Sequence, residues 1–544
     1  MNEYELLGGL HCLIDENTEK RIFEWIMKHN TNYSLLYPLA AVEIGAMNCK
    51  PEATDNLFKR CMVGFIYSNA LKSGKDIFLK KFNIPGLKRY LHEYETTLLP
   101  LFQNYRFSRE INDINPVSKP RLTQVGEKKY QLTTSLVTDK YTEEDFYFYG
   151  EDDPLLSEME RKQIMNLHGK FWNRIVMQQT PISRLEKIVA EDLYEDCIQI
   201  VEKDLNKWES NVRSEVFDSS NQIAKVIAFF YYYALIKSIS FRIGTLENEE
   251  YIDNADECIM LFDKEKCIQD ISNTSKIKID KTRRIVEYFI NRGNSNLLEF
   301  PLFEIDNKLV TIPSLFLVND WQFTIVNGHY AKQKNIIKRD KTISESTEKR
   351  INKLLQDVEN IATVKTKPYS FTDESGDTQC SDIDYGIYDK ERNVALIIEA
   401  KWINKHYKDE IDKRYGKIFE TLNNIYSDQI SKHQIFLERH ENIDWLFQDD
   451  VRYVHNDNKP TIYYLAIDKR NQMHLGDKHM ISEYMLLYFL RKHIISNKLD
   501  IITLWNEINR LQTKFEYITV SNEFYEIQIG DDIVLVEKSD LYWD

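Results

Sequence analysis

From residue 1 to about 295 apolar residues recur at three- and four-residue spacing, as in Arg184 to Trp208 and Thr282 to Phe289, and that period predicts helices. The exception is Lys128 to Tyr149, rich in Thr, Tyr and Phe, where short strands or an ordered loop are expected. At Leu298 the pattern turns to alternation, and LEFPLFEIDNKLVTIPSLFLVNDWQFTIVNG predicts a β-hairpin about Asp306-Asn307. Helical spacing returns from Thr342 to Ile361, with Ile351, Leu354, Leu355, Val358 and Ile361 as the apolar stripe and Thr342 and Glu345 spaced as a capping box. Glu348 lies three and seven residues before Ile351 and Leu355, on that same stripe. Two strand patterns follow, SDIDYGIYD and VALIIEAKW, joined by polar Lys-Glu-Arg-Asn. Ile411, Tyr415, Ile418, Leu422 and Ile425 then form a helical seam that Gln429 continues, and Thr461 to Ile467 reads as a strand before a helix from Ser482 to His493.

The expected fold class is a multidomain α+β or α/β chain. Residues 1–295 form a mainly helical region and 296–340 a β-hairpin connector; 341–500 form a core in the order α-β-β-β-α-β, and 501–544 a β-rich appendage. A length of 544 residues fits two to four domains, and the low usage of Gly (17) and Pro (12) favours helices over a many-turned all-β design. No internal repeat is visible.

Charge narrows the partners. With 71 Lys and Arg against 86 Asp and Glu the net charge is −15, so any hold on nucleic acid has to come from a local patch. Residues 331–370 supply one, with Lys332, Lys334, Lys338, Arg339, Lys341, Lys349, Arg350, Lys353, Lys365 and Lys367 outnumbering Asp340, Glu345, Glu348, Asp357 and Glu359. The stretch reads either as a solvated helix face or as an edge facing phosphates. The seven cysteines are odd in number and contain no C-x-x-C, as expected of reduced, buried thiols with no cysteine-built zinc site. Acids near the N-terminus do not suit a signal peptide, and the apolar stretch Val226 to Ile236, closed by Lys225 and Lys237, is short of the ~20 residues of a membrane span. A cytoplasmic protein without a membrane partner is expected.

The chemistry concentrates in SDIDYGIYDKERNVALIIEAKW. Period two puts Asp382, Asp384 and Gly386 on one face of the first strand and Glu399 and Lys401 on one face of the second. Antiparallel pairing can bring Asp384 beside Glu399, so two carboxylates and an ammonium converge on strands apolar enough to be a sheet centre. Burying them costs several kcal/mol unless something pairs them, and a divalent cation would.

This pattern resembles the PD-(D/E)xK, or restriction-endonuclease-like, nuclease superfamily over residues 341–495. Asp384 matches its first acid and Glu399 with Lys401 its acid-x-Lys, while Ile383 stands where the family usually has proline and Asp382 is a second choice for the metal acid. The resemblance implies Mg²⁺, with Mn²⁺ able to substitute, held by Asp384, Glu399 and the Ala400 carbonyl. It implies that Lys401 positions the attacking water and offsets transition-state charge, that Glu348 on the preceding helix completes the metal shell through water, and that Gln429 is the extra glutamine some members carry. The activity implied is endonucleolytic hydrolysis of DNA phosphodiesters, leaving 3′-hydroxyl and 5′-phosphate ends, in a bacterial effector of antiviral defence. An RNase with the same site, or a non-catalytic nuclease-like scaffold or nucleic-acid-binding subunit, are the alternatives. Residues 1–295 would then supply substrate choice, regulation, or contacts to a protein partner or a second copy.

Other features read as structural. His433, His440 and His455 are spread over helix and loop as surface or capping residues, His433 being a remote candidate for the site because it falls one turn past Gln429. Ser73-Gly74-Lys75-Asp76 departs from a phosphate loop, with Asn69 for the first glycine and Asp76 for the hydroxyl residue. Phe229 to Tyr233 read as core aromatics rather than a base-stacking platform, and Glu127-Lys128-Lys129 follows no apolar strand.

Overall fold

The computed structural model describes residues 2–542 apart from 30–34, 48–58, 72–81, 112–118, 139–157, 207–215, 248–254, 294–296, 326–335 and 402–410, and the single positions 61, 65, 69, 70, 256, 320, 322, 323, 374 and 470. The fold is mixed α/β with several separate sheets. The segment Ser73 to Asp76 lies outside the described residues.

The first half is built on helices, the longest being Glu3–His29 and Ser220–Glu247. Ser220–Glu247 is apolar all round because it is the centre of the largest core: Phe229, Phe230, Tyr231 and Tyr232 are buried, Phe230 stacks on Phe316, and Tyr232 meets Phe171 edge-on. These four aromatics are thus core, and Tyr233 packs against them partly buried. By length and composition Ser220–Thr245 is long enough to cross a membrane, but 72% of it is buried inside the protein, so its apolar surface is already covered. The expected hairpin is Phe303–Ile305 with Lys308–Thr311, turning at Asp306 and Asn307, whose φ of 48° and 60° suit Asp and Asn; Met260–Asp263 adds a third strand. Cys197, Cys258 and Cys267 are buried as expected, whereas Cys12 and Cys380 are exposed; all five are free.

The stretch after Lys128 does hold strands, Lys129–Thr133 and Ser135–Thr138, and residues 127–128 form a turn. Their partners come from the far end of the chain. Asp532–Glu537 runs parallel to Lys129–Thr133, which pairs with Arg121–Gly126, while Phe524–Ile529 adds the fourth strand and Lys514–Tyr517 pairs with Ser135–Thr138. This sheet packs Ile527, Val534 and Val536 against Leu6, Leu10 and Ile14 of the first helix. Gly9 lets the sheet come close, since a Cβ there would sit 2.6 Å from the Ile529 side chain.

Between these parts lies a six-stranded sheet. Its elements are α1 (Ile336–Leu355), β1 (Ile361–Thr372), β2 (Thr378–Asp389), β3 (Val394–Lys401), α2 (Ile411–Asn424), α3 (Ser431–Phe436), α4 (His440–Phe447), β4 (Thr461–Asp468), β5 (Met473–Leu475), β6 (Lys478–Ser482), α5 (Glu483–His493) and α6 (Ile501–Asn509). The strand order is β5-β6-β4-β3-β2-β1; β1, β2 and β3 run antiparallel to one another in succession, β3, β4 and β6 are mutually parallel, and β5 is antiparallel to β6. Burial on both faces makes β3 nearly continuously apolar. Leu396, Ile398 and Ala400 point to Ile351 and Leu355 of α1 and to α5 and α6, whereas Ala395 and Ile397 point to Phe436, Leu446 and Phe447 of α3 and α4.

Two boundaries differ from the sequence reading. Helix α1 starts at Ile336 and ends at Leu355, so Thr342 and Glu345 lie inside it, and Val358 and Ile361 belong to the turn and strand beyond. Nothing from Ile336 to Lys341 breaks a helix, and the capping box is therefore not used. After residue 500 the chain is not simply β-rich, because α6 buries Ile501, Leu504 and Ile508 in the same cluster as β3.

Candidate active site

β2 and β3 pair in register Tyr385↔Ile398 and Gly386↔Ile397. One step further stand Asp384 and Glu399, both on the face that α3 and α4 cover. The Ala400 N–H donates to Asp384 Oδ2 at 2.7 Å, so Ala400 enters the site through its amide. Gly386, two residues on, has no room for a side chain: a Cβ would lie 2.8 Å from Val364 and 3.2 Å from the Phe447 ring. β1 and α4 thus press directly on the strand that carries Asp384.

Glu399 is 3% exposed, and each of its oxygens has a partner. Lys401 Nζ lies 2.8 Å from Oε1, and His433 Nε2 lies 3.0 Å from Oε2. His433 is itself wholly buried on α3, with its Nδ1 2.7 Å from the Tyr369 hydroxyl of β1. Since a carboxylate only accepts, the partners assign Nε2–H as donor to Glu399 and leave Nδ1 to accept from the tyrosine. His433, read from sequence as a surface or capping residue and a remote candidate for the site because it falls one turn past Gln429, bonds directly to Glu399.

The two acids are held in opposite states. Burial, followed by the negative charge of Glu399, pushes the Asp384 carboxyl up to about 8 against the pull of Lys401 and the Ala400 amide. Burial also pulls Glu399 upward, but the His433 hydrogen bond and the Lys401 charge outweigh it and keep the carboxyl below its usual range. At neutral pH the pair therefore shares one negative charge, and Asp384 holds a proton.

The remaining sequence-selected residues are less tightly gathered. Glu348 is buried, and its Oε2 accepts from the Thr366 hydroxyl at 2.7 Å; among the described residues it makes no hydrogen bond or ion pair with Asp384 or Glu399. Burial, with the negative charges of Glu345 and Asp382, raises its carboxyl against Thr366 and Lys365. Asp382 is exposed and adds to the negative field at Asp384. Gln429 sits in the turn of helix that packs on β3, with a buried Oε1 that lacks a hydrogen-bond partner. In the basic stretch, Lys349, Lys353 and Lys365 are exposed, but Arg350 turns inward to Glu483 at 3.0 Å and does not belong to an open cationic edge. The side chains of Lys338, Arg339 and Lys341 lie outside the described residues.

A divalent cation suits this donor set. Asp384 and Glu399 are hard oxygen ligands, and the proton that burial forces onto Asp384 is the one a cation would displace. No family model, curated protein or solved structure that was compared with the chain matches it.

Proposed function

We propose that the chain is a metal-dependent phosphodiesterase of the restriction-endonuclease-like kind, acting on nucleic acid with DNA as the favoured substrate. The observation that carries this reading is the convergence of Glu399 and Lys401, at the end of β3, with Asp384 in the middle of β2, Asp384 being bonded to the Ala400 amide. The order of α1, β1, β2, β3, α2 and β4 supports it, as it is the order that the resemblance implies.

In this reading Asp384 and Glu399 would hold Mg²⁺, with Mn²⁺ able to substitute, and positive charge there would polarise a phosphate and make water more acidic. Lys401, fixed against Glu399, keeps a cation beside the reacting phosphate and orients the attacking water. His433 holds the second Glu399 oxygen and so sets the carboxylate plane, while Tyr369 sets the ring of His433. Burial under α3 and α4 keeps bulk water from screening these charges.

The test is cleavage of plasmid, linear DNA and RNA by purified protein in Mg²⁺, Mn²⁺ or EDTA. Activity that needs the metal and is lost in Glu399→Gln and Lys401→Ala supports the proposal, and cleavage undiminished in excess EDTA overturns it. A second, non-catalytic reading is favoured by one observation: both Glu399 oxygens are already engaged. Mn²⁺ calorimetry separates the two, because a scaffold in which Lys401 and His433 merely neutralise Glu399 takes up no ion at this site.

A further inference from the structure

We infer that His440, Asp444 and His455 form a second metal site, selective for a transition ion such as Zn²⁺ and separate from the acidic pair at Asp384 and Glu399. His440 and Asp444 are one turn apart on α4 and therefore share a face, and His455 reaches them from the segment before β4. One ligand atom from each of the three lies within 4.8 Å of the others. The two imidazoles lie nearly parallel, 5.5 Å between centroids at 19°.

The chemistry of the donors selects the ion. Two imidazoles and one carboxylate are the ligands that zinc and its neighbours take, whereas Mg²⁺ prefers oxygen alone. Zn–N and Zn–O bonds of ~2.0–2.2 Å place tetrahedral ligand atoms ~3.3–3.5 Å apart, so no pair of ligand atoms has to close by more than about 1.5 Å. His455 and Asp444 are nearer still, at 2.7 Å between Nδ1 and Oδ1, and they now share a proton where an ion would sit. Three protein ligands leave a fourth position for water.

A supporting shell is also present. The Tyr453 hydroxyl donates to Asp444 Oδ1, and Asp457 Oδ1 lies 3.5 Å from the other nitrogen of His455, the place where ligating histidines usually keep a carboxylate. The ion would tie the start of α4 to the segment that enters β4. That helix also carries Phe447, whose ring covers Gly386 beside the acidic pair.

The experiment uses the full chain, stripped with chelator, and titrates it with Co²⁺ as a coloured probe and then with Zn²⁺. One equivalent of Co²⁺ with a visible absorption band, displaced by Zn²⁺, is expected in the wild type and in the Asp384→Asn, Glu399→Gln double variant. His455→Gln, on an exposed segment that tolerates substitution, should lose that equivalent, as should His440→Ala. No tight equivalent in the wild type, an unchanged equivalent in both histidine variants, or its loss in the Asp384→Asn, Glu399→Gln variant would each overturn the assignment. Because the Asp384→Asn, Glu399→Gln variant lacks the acidic pair, uptake by that variant is independent of the nuclease proposal.

Discussion

At the residue scale the acidic pair makes the stability of the metal-free protein depend on pH in an unusual direction. The folded Asp384 carboxyl titrates at about 8, above its ordinary 3.8, so the native state binds a proton that the unfolded chain gives up. Its contribution is fully present below about pH 4 and is lost as pH rises toward 8. Asp384→Asn removes that loss and can still accept from the Ala400 amide. Without metal the variant should be more stable than wild type at pH 8, on the order of 1–3 kcal/mol, with the gap closing at pH 4. Adding Mg²⁺ should reverse the order, since only the wild type gains a bound ion. Thermal melts at pH 4, 6 and 8 with and without Mg²⁺ check this, and a variant that is never the more stable one refutes it. His433→Ala tests the neighbouring bond. It leaves Glu399 Oε2 buried without a partner and takes from the Tyr369 hydroxyl one of its two, Ser381 being the other, so a loss of about 1–3 kcal/mol is expected together with weaker Mn²⁺ binding. Unaltered calorimetric affinity would show that His433 does not orient the carboxylate.

At the scale of elements, α1 is fastened to the sheet by a buried charge cluster as well as by apolar packing. Glu483, at the start of α5, bonds to Lys469 just after β4, to Arg350 of α1 at 3.0 Å and to the Thr347 hydroxyl at 2.8 Å. Burial lowers Lys469 to about 8 against the attraction of Glu483, which makes the balance delicate. Glu483→Gln should cost about 3–5 kcal/mol, because Lys469 and Arg350 then lose the buried carboxylate that they share. A urea midpoint shifted by less than a quarter of that cost would mean that water reaches the cluster. None of this network is visible in the sequence, where Thr347, Arg350, Lys469 and Glu483 are ordinary polar letters in two helices and a turn. The strands are legible for the opposite reason: VALII before Glu399-Ala400-Lys401 is a continuous apolar run, as a strand buried on both faces requires, while the register that sets Asp384 rather than Asp382 beside Glu399 is left open by it. Glu348 shows the limit of such reading, since its stripe position predicts burial correctly but cannot say that Thr366 takes its carboxylate. The helix that holds Glu348 differs from its sequence bounds at both ends because local propensity carries on upstream where no breaker stops it.

For the whole molecule, the net charge of −15 means that a polyanion can approach only where lysines are concentrated. Lys349, Lys353 and Lys365 are exposed on α1 and β1. Exchanging the three for Gln should flatten the salt dependence of duplex binding by about 0.9 in log–log slope for each phosphate no longer neutralised, with the fold intact. Fluorescence anisotropy over a range of NaCl concentrations measures that slope, and an unchanged value would route the substrate elsewhere. The division of labour between regions is only half legible. The helical first half and the central sheet have local patterns, but the sheet at Lys129–Thr133 is completed by Asp532–Glu537, and no period in either segment names the other.

That long-range pairing sets a timetable for the chain's synthesis. Strand Lys129–Thr133 leaves the ribosome with one edge bare, and Asp532–Glu537 follows about 400 residues later, about 20–80 seconds at 5–20 residues per second. The strands of the central sheet, by contrast, all emerge between Ile361 and Ser482. The acidic pair is therefore assembled before the first helix obtains its sheet, and a chain stalled near residue 515 should resist protease across the central sheet while Glu3–His29 is still cut. Equal protection of both regions at that length would show that the first helix finds cover without its distant partner.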